Sequence, residues 1–318
     1  MSTLLDPPST ADYRYNAAAI RFRQSAPTVA GMLGMGSWWI RRQFFSHYFG
    51  QPPGWRVALR RLSGNRVLPD FACIGAIKSG TSELASELLS HPSVVAPLAK
   101  EIWNDDVESW RPYYPRAADM EQVREVTGNA VTGYFTPRLD SMTIAHAFHA
   151  KRPDARAIVV LRNPVDRAYS HYKWEVALGG RGTLEMPWFG DYAEYVRAAL
   201  SFYPSASLPT ACGLRVLESG IYSSAVAQWI DVFGRSRVHV VSAESLFADR
   251  DRTLREILEF LDLEPTPAPP RERVNENPLR EVPKQDNESR ALLADFYRPH
   301  NEQLYAVIGR DLGWDSLN

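Results

Sequence analysis

Along most of this chain, apolar runs of strand length alternate with stretches of helical spacing. FACIGAI, starting at Phe71, reads as a strand, and Leu84 with Leu88 and Ala85 with Leu89 follow four apart, as on one face of a helix. Ser79 or Thr81 is placed to cap that helix, and Pro92 to end it. A second unit opens with AIVVL and stops at Arg162. There Asn163 can cap a helix with Pro164 at its first position, where the missing N–H is no loss, and Gly179 and Gly180 close it. A third unit, RVHVVSAESLFADRDRTLREILEFLDLEP, gives a strand and then a helix with Leu254, Ile257, Leu258 and Leu261 on one side. The last stretch, SRALLADFYRPHNEQLYAVIGRDLGW, reads as one or two helices with a break at Pro299. Strand alternating with helix predicts an α/β fold with a mostly parallel central sheet flanked by helices. Residues 1–69 read as a partly helical extension, residues 70–318 as the main domain, and residues 181–215 as an excursion from its core.

Composition narrows the function classes. Of the 318 residues 45% are apolar, enough for a sizeable core, and the net charge of −1 gives no general attraction to nucleic acid or anionic membrane. Any anion site must therefore be local. Two cysteines, Cys73 and Cys212, make neither a disulfide framework nor a zinc site, which favours a reducing compartment; Cys73, in an apolar run, reads as a small buried side chain. The polar start, with Asp6 and Pro7, lacks a signal-peptide layout. Residues 24–42, diluted by Gly, Pro and Ser, read as a packed amphipathic or loop segment, with contact to a membrane surface as the alternative. The expected location is the cytoplasm.

The turn after the first strand carries the chemistry. Gly75 and Gly80 let main chain approach a ligand closely, while Lys78, Ser79, Thr81 and Ser82 supply donors at a helix start, an arrangement suited to an anion. An ordinary strand-to-helix turn with a surface lysine is the plainer reading. Two features separate the stretch from a nucleoside triphosphatase loop. Thr81 stands where the lysine should follow the last glycine, and AIVVL closes on Arg162 rather than on a carboxylate able to hold magnesium. A cation there suggests a second phosphate bound without metal, hence a nucleoside with phosphates at both ends. The alternatives are an ion pair between Arg162 and Asp166, and a packing role for Ser170.

IGAIKSGTSEL and VVLRNPVDRAYSHY together resemble the two donor-binding signatures of sulfotransferases that use 3′-phosphoadenosine 5′-phosphosulfate (PAPS). The resemblance runs on through ESGIYSSAVAQW and FYRPHNEQLYAVIGRDLGW, over roughly residues 70–315. It implies a P-loop-like three-layer fold and metal-independent sulfuryl transfer. Lys78 would contact the 5′-phosphate and the oxygen bridging to sulfur, and Ser79, Gly80, Thr81 and Ser82 would wrap that phosphate. Arg162 and Ser170 would hold the 3′-phosphate, with Tyr222 near the nucleotide. PLAKEIWNDD resembles the carbohydrate branch, including the heparan sulfate enzymes, and so implies Glu101 as general base. A solvated pair with Lys100 is the alternative for Glu101, and Asp105 and Asp106 read as solvated loop charges.

The chain departs from the family at Ala130 and Thr132, where lysine and proline are frequent, and at NENPLREVPKQ, where only Arg280 or Lys284 offers a cation to cover the nucleotide. These departures point away from a heparan-type polymer, toward a bacterial-style enzyme acting on another saccharide or on a small hydroxylated metabolite. His91 and His171, with no carboxylate next to them in sequence, read as structural. Trp103, Trp110, Tyr113, Tyr114, Tyr134 and Trp188 are either stacking faces for an acceptor or core. Two rivals stand: an ATP-dependent small-molecule kinase, and a binding module without catalysis.

Overall fold

The computed structural model describes residues 52–102, 104–177, 190–208, 215–267 and 284–314. The three expected strands form as β1 (Phe71–Gly75), β3 (Arg156–Leu161) and β4 (Val238–Ser242), and a short β2 (Gly133–Thr136) joins them. All pairings are parallel, in the order β2-β1-β3-β4. The strands are almost wholly buried because both faces of the sheet are covered, as parallel sheets require.

Residue parity sorts their side chains between two cores. Ala72, Ile74, Ala157, Val159 and Leu161 face α4 (Met142–Lys151), α7 (Ser223–Phe233) and the end of α10 (Asn287–Ile308). Phe71, Cys73, Ile158 and Val160 face α2 (Thr81–Leu89) and α9 (Arg250–Phe260). The expected α2 pattern holds: Leu84, Ala85, Leu88 and Leu89 are all buried. Burying each leucine contributes on the order of 1.5–3 kcal/mol. The three-layer α/β architecture is thus the expected one. Cys73 is fully buried, and burial pushes its thiol up to about 12, leaving it inert.

Part of the excursion is α6 (Tyr192–Phe202). With α5 (Pro164–Ala177) and the first half of α10 it forms a separate, tyrosine-rich cluster around Tyr172, Tyr192, Tyr195 and Tyr297. In the extension, α1 (Gly54–Leu62) is tied to the domain by Arg60, which donates to the Tyr114 carbonyl at 2.6 Å. The remaining helices are α3 (Ala117–Thr127) and α8 (Ala243–Ala248).

Two expectations about helix ends change. No break occurs at Pro299: α10 runs unbroken from Asn287 to Ile308. Pro299 lies on the exposed face, where the carbonyl it leaves without a partner can take water, while Tyr297, Asn301 and Leu304 are buried on the opposite face. Nor does a side chain cap α2. Gly80 occupies the cap position with φ 93°, and Thr81 is already the first helical residue. By contrast Asp191, Ser242, Asp249 and Asp286 each cap a helix through the side chain.

Candidate active site

β1 and β3 are neighbours whose connections leave in opposite directions, β1 toward β2 and β3 toward β4. The crevice beyond their carboxyl ends is the topological switch point, the place where open α/β sheets bind ligands. The loop after β1 and Arg162 after β3 both lie there.

Close approach shapes the loop. A Cβ on Gly75 would lie 2.5 Å from Thr81 Cγ2 and 2.8 Å from the Val160 carbonyl oxygen, so only glycine lets the chain fold against β3. Lys78 has φ 67°, a left-handed conformation costing a residue with a Cβ roughly 1–2 kcal/mol. With Gly80 also left-handed, the turn is tight enough to leave the α2 N-terminus open rather than capped. Ser79 is fully buried, and its hydroxyl has no hydrogen-bond partner among the described residues.

The end of β3 is pinned from three sides. The Asn163 side chain accepts from Val165 N at 3.0 Å, which is the expected cap on α5, and Asn163 N donates to Glu244 at 2.8 Å. The buried Tyr222 hydroxyl donates to the Arg162 carbonyl at 2.9 Å. The Arg162 guanidinium reaches the Lys78 carbonyl at 3.4 Å, bringing the two signatures together. The alternative pair with Asp166 does not form, because Asp166 is engaged by Arg290 at 2.7 Å. Ser170 lies about two turns into α5, partly exposed. One turn further, the Trp174 ring sits 5.5 Å from Lys78 Nζ.

Positive charge accumulates here. Burial, then Lys100, Arg162 and Lys173, push Lys78 down to about 8, with Glu101 opposing weakly. Lys173 is lowered by burial and by Arg162. Among the described residues Lys78, Arg162 and Lys173 form no ion pair, so the cluster is under-neutralised and suited to an anion.

Glu101 is ion-paired at 2.8 Å with Lys100, which also donates to Ser82 at 2.6 Å. The pair differs from the solvated alternative in that the Lys100 side chain is only 8% exposed, while Glu101 is 27% exposed. Asp105 and Asp106 are solvent-accessible loop charges with local partners: Asp105 pairs with Arg138, and the exposed Asp106 accepts from Glu108 N at 3.1 Å. Trp110, Tyr114 and Tyr134 are fully buried core and offer no stacking face; Tyr113 is partly exposed. His91 is structural, accepting from Ser93 N and meeting the Glu264 carbonyl. His171 does have a carboxylate: fully buried on α5, it lies between Arg167 at 3.3 Å and Glu175 at 3.2 Å. That ladder at i, i+4, i+8 was readable as one helix face. The bridging of Lys100 to Ser82 had no sequence signal, because the two residues are eighteen apart.

Trp103, Trp188, Arg280 and residues 24–42 lie outside the described residues; Lys284 is described and exposed. Among the described residues no cluster of three or more His, Cys, Asp or Glu could hold a metal ion, and no helix is long and apolar enough to cross a membrane.

A family model for the sulfotransferase domain matches residues 68–285. The chain is 28% identical over 290 residues to human heparan sulfate glucosamine 3-O-sulfotransferase 3A1, covering 83% of the chain and 66% of that protein. It is 26% identical over 276 residues to human bifunctional heparan sulfate N-deacetylase/N-sulfotransferase 2, covering 76% of the chain and 30% of that relative's length. Among solved structures it is similar to a sulfotransferase from Alicyclobacillus acidocaldarius, with TM-score 0.59, 27% identity, and coverage of 79% of this chain and 100% of that one.

Proposed function

Because the chain belongs to the sulfotransferase family, we propose that it transfers the sulfuryl group of PAPS to an acceptor hydroxyl, with a saccharide as the favoured acceptor class. The single observation that carries the donor assignment is the convergence of Lys78 and Arg162 at the β1–β3 switch point, with no paired carboxylate on either among the described residues. The cradle fits a phosphate. Gly75 lets the turn fold tightly against β3, and the hydroxyl of buried Ser79 makes no hydrogen bond of ordinary geometry among the described residues, leaving it able to donate to an anion.

PAPS supplies the sulfuryl group and a phosphate leaving group. Lys78 keeps its charge where negative charge grows on the departing oxygen, so it favours the transition state over the ground state. Ser79, Gly80, Thr81 and Ser82 hold the 5′-phosphate at the uncapped start of α2. Arg162 and Ser170 hold the 3′-phosphate, and Tyr222, near the nucleotide, fixes the Arg162 backbone. Glu101, 27% exposed and oriented by Lys100, accepts the proton of the acceptor hydroxyl. The saccharide rests on the heparan sulfate relatives; a small phenolic, lipid or natural-product hydroxyl is the second reading, since the chain spans only part of those relatives' length. Catalysis without metal, residues 70–318 as the catalytic unit and a cytoplasmic location belong to the same proposal.

The test is calorimetry with adenosine 3′,5′-bisphosphate and with Mg·ATP, paired with transfer from labelled PAPS to pooled saccharides and small hydroxylated compounds in the presence of chelator. Tight bisphosphate binding and chelator-resistant labelling are expected. Uptake of Mg·ATP alone would point to the kinase reading, and bisphosphate binding without transfer to any acceptor to a module without catalysis.

A further inference from the structure

We propose that Lys100 is a positioning residue that ties the base to the donor cradle, so that Ser82, Lys100 and Glu101 act as one unit. This inference rests on the reading of Glu101 as the base given above.

Lys100 is not an ordinary surface lysine. Its side chain is 8% exposed against 27% for Glu101, and a buried ammonium must find acceptors. The two that meet it among the described residues come from opposite halves of the site. Ser82 Oγ, at 2.6 Å, belongs to the first turn of the helix whose start faces the donor, and Glu101 Oε1, at 2.8 Å, belongs to the acceptor side. Neighbouring residues of an extended chain point to opposite sides, so contact between Lys100 and Glu101 needs the bend that the chain makes at Lys100. Lys100 is also, after burial, the largest of the influences that disfavour the Lys78 ammonium.

Fixing Oε1 sets the rotation of the Glu101 carboxylate relative to α2. Glu101 stands on a segment outside regular secondary structure, where nothing in its own backbone pattern would register it to the sulfur. In-line transfer depends on such registration, because displacement of a reacting group by an ångström can cost a hundredfold in rate. Lys100 supplies one such link: a single ammonium hydrogen-bonded to both the donor helix and the base.

A double-mutant cycle separates this role from others. Lys100→Met is expected to lower kcat by about ten- to a hundredfold, the range for losing a charge-assisted hydrogen bond. Its affinity for adenosine 3′,5′-bisphosphate and its acceptor KM should stay within about threefold. In a Glu101→Gln background the same change should lower kcat by no more than about twofold, because the base it positions is already gone. Lys100→Arg should recover part of the loss. Losses that multiply across the two sites would overturn the proposal, as would a Lys100→Met enzyme with wild-type kcat. If Lys100→Met does not fold, Lys100→Gln replaces it in the cycle, and multiplying losses there have the same meaning. Full turnover by Glu101→Gln alone would instead sink the assignment of Glu101 as base, which is a separate result.

Discussion

The Tyr222 hydroxyl donates to the main-chain carbonyl of Arg162 at 2.9 Å, so a phenol at the start of α7 fixes the backbone that carries the second cation. The phenol is out of solvent, and burial raises it well above its ordinary range, keeping it a donor at any working pH. Tyr222→Phe leaves that carbonyl without its partner. Stability should fall by about 1–3 kcal/mol, and bisphosphate affinity should fall several-fold while a ligand with only a 5′-phosphate is little affected. Thermal unfolding and calorimetry read the two effects.

Arg162→Ala should discriminate between the phosphates. Affinity for adenosine 3′,5′-bisphosphate should fall by about ten- to a hundredfold, as expected for a charge-assisted contact. Adenosine 5′-phosphate, lacking the 3′ group, should bind the variant as it binds the parent. Equal losses for both ligands would place Arg162 elsewhere on the nucleotide.

Lys78 sets a pH dependence. Its folded value is lowered to about 8 by burial and by neighbouring cations, and only the ammonium attracts a phosphate. Bisphosphate affinity should therefore be fullest below pH 8 and decline as pH rises through it. Folding is linked with the opposite trend. The strain of holding this cation is fully present below about pH 8 and is relieved between there and the ordinary lysine value of 10.5, because the unfolded chain binds more protons in that window. Calorimetry across pH 7 to 9 checks the first trend; affinity that does not change across that range would argue against contact between Lys78 and the anion.

Glu101→Gln should keep bisphosphate affinity while turnover falls by about two to four decades, the range for loss of a general base. Steady-state rates with any accepted hydroxyl compound, beside calorimetry, measure this. A rate within threefold of the parent would remove Glu101 from the role.

Gly75→Ala tests the cradle by sterics alone. The added methyl would meet Thr81 Cγ2 at 2.5 Å and the Val160 carbonyl at 2.8 Å, and one of the two is backbone that cannot swing aside. A cost of about 1–3 kcal/mol in stability is expected, with bisphosphate binding lost as the loop moves off β3. Unchanged melting and binding would mean that the loop does not need this close approach.

Much of the fold was legible because burial on both faces leaves an unbroken apolar run, as in AIVVL, and a one-faced helix leaves leucines four apart, as in α2. β2 escaped because four residues beginning with glycine carry little pattern; Gly133 is there to admit the Phe71 ring, which lies 2.3 Å from where a Cβ would stand. Pro299 misled for a related reason. A proline states its local cost, but whether the helix survives depends on which face it lies on, and that is settled by what packs opposite.

The sequence by itself determined three of the strands with the helices that follow them, the glycine-bearing turn and the kinds of charge available to it, because these follow from local spacing and residue chemistry. Only the tertiary structure decided who meets whom. Parallel strands brought Lys78 and Arg162 together across eighty-four positions, Arg290 took Asp166 away from Arg162, and Lys100 was buried between Ser82 and Glu101. Pair energies fall with distance in space, not along the chain, so the local pattern could supply the charges but only the packed sheet could set their partners.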